Sequence, residues 1–73
     1  MKIDKNPIIT KSNRTIEVSH NIDTSEEVSI SMNGVLVLLP EDYESINNNI
    51  ITLKENLDID YDDNFVVFYT KGY

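Results

Sequence analysis

The stretch EEVSISMNGVLVLL, residues 26 to 39, leaves few options for local structure. Val28, Ile30 and Met32 alternate with Ser29 and Ser31, the period of a strand with one buried face. Asn33-Gly34 then separates this run from a second apolar run. That dipeptide is the strongest short-range hairpin signal, because a type I′ turn needs positive φ at both central positions. A two-residue loop sets the expected register, with Met32 opposite Val35, Ile30 opposite Val37 and Val28 opposite Leu39. Leu36 and Leu38 then share the other face with Ser31 and Ser29, a mixed surface that calls for cover by the N-terminal segment or by a second chain.

Other segments read in the same way. Thr15-Ile16-Glu17-Val18-Ser19 alternates with Ile16 and Val18 inward, and Ile8-Ile9-Thr10 after Pro7 reads as a short edge strand. Phe65-Val66-Val67-Phe68-Tyr69 is apolar on both sides, as expected for a strand buried on two faces or paired in the middle of a sheet. Thr24 and Glu27 have capping-box spacing, but period-2 alternation follows, so no helix is expected there.

Residues Pro40 to Leu57 predict a helix. Proline suits a first helical turn, and Glu41, Asp42 and Glu44 fall where the helix dipole favours negative charge. Tyr43, Ile46, Ile50, Leu53 and Leu57 recur at spacings of 3, 4, 3 and 4, one apolar stripe, with Ile51 at its edge. The expected fold class is therefore α+β: a small single domain over residues 1–73, with an antiparallel or mixed sheet of four or five strands packed against one amphipathic helix.

Seventy-three residues without a cysteine have neither disulfides nor thiolate metal ligands to stabilise them. A chain of this size buries only about 60% of its unfolded surface, which makes a homodimer an open alternative to a monomer. No apolar run approaches a membrane span or a signal-peptide core, so a cytoplasmic location is expected. The absence of Ala and Gln and the abundance of Ile, Asn, Asp and Lys fit an AT-rich source, such as a low-GC bacterium or its phage.

Charge is unevenly distributed. Residues 1–14 carry Lys2, Lys5, Lys11 and Arg14 against Asp4, a balance of +3, and residues 1–13 read as a flexible basic segment. Residues 15–73 carry twelve acids against Lys54 and Lys71, a balance of −10. Direct nucleic-acid binding is disfavoured, because phosphate contacts need Lys and Arg. A basic, nucleic-acid-binding protein is the expected partner.

Asp58, Asp60 and Asp62 match the first ligand positions of a calcium-binding EF-hand loop, but Asp63 replaces the turn glycine and Tyr69 the bidentate glutamate. No metal and no cofactor are expected. His20 is the only histidine, so neither a triad nor a zinc site can be assembled, and the two glycines form no phosphate loop. The expected function is non-catalytic: a small acidic inhibitor, phage-encoded, that occupies a nucleic-acid-binding surface of a host defence or processing protein in the manner of a DNA mimic. Glu41, Asp42, Glu44, Glu55, Asp58, Asp60, Asp62 and Asp63 would supply the field, and Tyr61 and Tyr73 the apolar anchors. The alternative is an assembly protein that forms a homo-oligomer through the Leu36/Leu38 face and the C-terminal strand.

Overall fold

The computed structural model describes residues 1–34, 36–38 and 40–72, without the side chains of Leu36 and Val37. It contains eight strands: β1 (Lys2–Asp4), β2 (Ile8–Thr10), β3 (Thr15–Glu17), β4 (Ser29–Met32), β5 (Leu36–Leu38), β6 (Tyr43–Asn47), β7 (Ile50–Leu53) and β8 (Phe65–Tyr69). One sheet has the order β1-β8-β4-β5 and the other β2-β3-β7-β6. Every ladder is antiparallel. Among the described residues the helical elements are two three-residue 3-10 turns, Lys11–Asn13 and Pro40–Asp42.

The expected α+β class is therefore corrected to all-β, and the amphipathic helix from Pro40 to Leu57 does not exist. Its residues form the β6–β7 hairpin, in which Ile46 pairs with Ile51 and Asn47 with Ile50 around a turn at Asn48 and Asn49. Asn48 takes φ 56°, a left-handed conformation that asparagine tolerates better than most residues. Three consecutive asparagines weaken a helix by about 2 kcal/mol relative to alanine, and Ile46, Ile50, Ile51 and Thr52 are β-branched. The hairpin also buries more: Ile51 and Leu53 are both at 0% exposure, whereas a helix would have left Ile51 at the rim of its stripe.

The first hairpin forms with a different register. Asn33 and Gly34 have φ of 53° and 72°, as a tight turn requires. The strands, however, pair Met32 with Leu36, Ser31 with Val37 and Ile30 with Leu38. This is one residue later on the return strand than a two-residue loop allows, and a one-residue slip exchanges the faces of a strand. Leu38 accordingly lies in the core beside Ile30 instead of on a mixed outer face. The pairings expected for Val35 and Leu39 lie outside the described residues.

Both sheets contribute to one core. Ile16, Ile51, Leu53 and Tyr43 from the β2–β3–β7–β6 sheet meet Ile30, Met32, Leu38, Phe65, Val67 and Tyr69 from the other, with Val18, Ile22 and Val28 between them. β8 lies in the middle of its sheet, as expected, but it buries one face only: Phe65, Val67 and Tyr69 point inward while Val66 and Phe68 remain half-buried. The N-terminal residues form β1 and β2, one edge strand of each sheet.

Loops are tied down by backbone bonds. The N–H groups of Val18 and Ile22 donate to the carbonyls of Asn49 and Asn48, both at 2.9 Å, so the β6–β7 turn supports the segment after β3. Gly72 donates to the Asn21 carbonyl at 2.7 Å. A Cβ at Gly72 would lie 3.0 Å from the Ile22 backbone, a tight approach that would force that backbone to shift by a few tenths of an ångström.

Hairpin and helix make different energetic predictions. In the hairpin, Ile51→Ala should cost about 2–5 kcal/mol and half-buried Ile50→Ala clearly less, as measured by urea denaturation. Equal costs at the two positions would contradict the strand assignment.

Candidate functional site

Arg14 organises the acidic side of the molecule. It follows the Lys11–Asn13 turn with φ 56° and ψ 38°, and it clasps the end of β7 with two bonds. The Leu53 N–H donates to the Arg14 carbonyl at 2.8 Å, and Arg14 Nε donates to the Leu53 carbonyl at 3.1 Å. With Nε fixed in this way, Nη2 lies 3.6 Å from Glu44 Oε2 and 3.9 Å from Glu55 Oε1. Glu44 is available because β6 bulges there: Tyr43 pairs with Leu53 and Ser45 with Thr52, which leaves Glu44 as the extra residue. A bulge re-aims a side chain.

The acidic run adjoins this cluster. From Leu57 to Asp62 burial alternates residue by residue. Leu57, Ile59 and Tyr61 pack against the core, while Asp58, Asp60 and Asp62 are exposed. Carboxylates two residues apart in extended chain project about 6.6 Å apart. Tyr61 connects the two groups: its ring lies 6.4 Å from that of Phe65. Burial raises the Tyr61 pKa, and the positive charge of Arg14 opposes that rise, so Arg14 acts on this phenol as well as on Glu44 and Glu55. The run closes in a turn, with the Asp62 N–H donating to Asp60 Oδ1 at 2.9 Å and the Asp63 N–H to the Asp60 carbonyl at 3.1 Å.

The expected interaction residues thus divide. Glu44 and Glu55 are brought together at Arg14, whose charge also reaches Tyr61, and Asp58, Asp60 and Asp62 lie on either side of Tyr61 in the sequence. Asp63 is half-buried. Glu41 and Asp42 lie in the 3-10 turn before β6, not in the first turn of a helix, and the Asp42 carbonyl accepts the Lys54 N–H at 3.1 Å. Tyr73 lies outside the described residues. Among the described residues no three carboxylate or imidazole groups gather in a way that could hold a metal ion. Two carboxylates, moreover, are partly neutralised by Arg14.

Sequence reasoning missed two features. The Tyr43 hydroxyl is buried and donates to the carbonyls of Val28 and Leu38, at 2.9 and 3.1 Å. Burial, and then the charges of Asp42 and Glu27, push its pKa far above the ordinary value. The second feature is Asp4, whose Oδ2 accepts the Ser19 N–H at 2.9 Å and the Ser19 hydroxyl at 3.0 Å, beside a shallow hollow of about 440 Å³ that Lys2, Lys5, His20 and Tyr69 also line. The sequence carries no motif for either, since both depend on contacts between distant strands.

Two outcomes follow from these bonds. The Tyr43 pKa is higher folded than unfolded, where it is about 10, so its stabilising contribution is complete below pH ~10 and is lost as pH rises through the folded value. Urea midpoints should fall above pH ~10, and Tyr43→Phe should flatten that decline while costing about 1–2 kcal/mol at neutral pH. Arg14→Gln should cost about 1–2 kcal/mol, mainly through the Leu53 carbonyl, because exposed ion pairs contribute only ~0.2–1 kcal/mol each. A loss that vanished in high salt would show that the ion pairs dominate instead.

No helix among the described residues is long and apolar enough to cross a membrane. Comparison with protein families, with curated proteins and with solved structures gave no match, so the site stands on its own geometry.

Proposed function

We propose that this protein is a small acidic binding protein without catalytic activity, phage-encoded and acting in the host cytoplasm. In this reading it inhibits its partner by occupying a basic nucleic-acid-binding surface of a host defence or nucleic-acid-processing protein. The observation that supports the reading is the gathering of Glu44 and Glu55, from two separate segments, at one arginine whose charge also reaches Tyr61 in the acidic run. Arg14 offsets one of thirteen carboxylate charges, and with all six Lys and Arg counted the formal net charge of the chain is still −7. A negative field steers toward a basic groove and competes with phosphates there. Tyr61, half-buried at the centre of the run, supplies an aromatic contact of low conformational entropy.

The test is capture from lysate of an AT-rich bacterial host on the immobilised protein. A basic nucleic-acid-binding protein should be retained and then released by moderate salt or by added duplex DNA. Changing Asp58, Asp60, Asp62 and Asp63 together to Asn should weaken retention about tenfold or more, since each exposed pair contributes ~0.2–1 kcal/mol. Retention that ignores salt, DNA and the four substitutions would remove the basis for this function.

A further inference from the structure

Of the surface expected for self-assembly, Leu38 is buried and β8 is an interior strand, while the Leu36 side chain lies outside the description. Another surface takes its place. Among the described residues, the exposed large hydrophobic side chains include Met1, Ile3 and Ile8, at 86%, 55% and 61%, and all three belong to the N-terminal strands or their flank. β2 is the terminal strand of its sheet, so its outer backbone groups have no ladder partner. Natural sheets guard such edges with a bulge or a charge. β6, at the opposite edge of the same sheet, has both at Glu44, whereas Ile8, Ile9 and Thr10 have neither within the strand. Instead, exposed Lys5 and Lys11 flank β2 on either side.

The same chain contains a complementary segment. From Leu57 to Ile59 burial alternates, with the apolar side chains held against the core and Asp58 outward, and no backbone group of these three residues has a backbone partner among the described residues. Asp60 follows, also exposed. An outer edge flanked by lysines and a segment of alternating burial with exposed aspartates thus occur in one polypeptide, and neither is paired with the other within a single copy.

We propose that β2 of one copy adds to the segment Leu57–Asp60 of a second copy, a strand-to-strand contact in which Lys5 and Lys11 face Asp58 and Asp60 and Ile8 is covered. The occupant is a second copy because its charge pattern is the inverse of that edge: +3 over residues 1–14 against −10 over residues 15–73. Pairing of β2 with β2 would set Lys5 and Lys11 against themselves, and β6 is blocked by its bulge. So few residues a side form a small interface, below about 1,200 Å², hence a weak and reversible contact. Self-association and capture of a basic partner would draw on the same Asp58 and Asp60, so the two states exclude one another. The inference does not require the partner to exist.

The experiment is sedimentation of the purified chain over a range of concentrations, with a charge swap. The native protein should associate as concentration rises. Lys5→Glu with Lys11→Glu, or Asp58→Lys with Asp60→Lys, should each weaken that association about tenfold or more. Mixing the two reversed variants should restore it, because the reversed edge of one now fits the reversed segment of the other. Hydrogen exchange should slow at amides within Ile8–Thr10 and Asp58–Asp60 on association. Circular dichroism confirms that each variant is folded. A native protein that stays monomeric throughout, a mixture that fails to re-associate, or association without protection of those amides would each overturn the proposal.

Discussion

Ile16, Ile51 and Leu53 from one sheet meet Ile30, Val67 and Tyr69 from the other in a core that contains no buried charged residue among those described. With neither cysteine nor a long helix, this contact between two sheet faces is the main source of stability in a 73-residue chain. Burial drives it, and each strand takes part by placing alternate residues inward. Charged groups are excluded from such a core by their desolvation cost, so every carboxylate must find a place outside it. The acidic exterior thus follows from the packing of the interior.

Where on that exterior the acids gather is decided by a few specific bonds. Arg14 is fixed by two hydrogen bonds to Leu53, itself fully buried, and so the guanidinium is aimed by the core. Glu44 reaches it because a bulge interrupts β6, and Glu55 because it lies two residues beyond Leu53. The hydroxyl of Tyr43 joins the ends of β4 and β5 to the start of β6 from inside, which couples the two sheets where the acidic turn Pro40–Asp42 crosses between them. The arrangement of charge and the stability of the fold therefore share residues.

The reading of Pro40 to Leu57 shows why part of this was not legible. Tyr43, Ile46, Ile50 and Leu53 satisfy a helical stripe, but a hairpin with its turn at Asn48 satisfies burial at least as well, and periodicity over so few turns cannot separate them. The discriminating signals were local: the asparagine triplet, the β-branched residues around it, and Ile51, which fits a helix poorly and a strand well. The register of the Asn33-Gly34 hairpin failed for a similar reason. Its turn residues specify positive φ, which both adopt, but the pairing that follows was settled by the need to bury Leu38.

The amino-acid order by itself determined that Thr15–Glu17, Ser29–Met32 and Phe65–Tyr69 would be strands, with Ile16, Ile30 and Met32 inward. It also determined the unequal division of charge, because alternation and net charge are properties of neighbouring residues. Only the tertiary structure decided that Arg14 would collect Glu44 and Glu55, that Asp4 would be held by Ser19, that β2 would have a ladder partner on one side only, and that the backbone of Leu57–Ile59 would have none among the described residues. Those outcomes depend on which strands become neighbours, a choice made by burial summed over the whole core, and no single segment carries that sum.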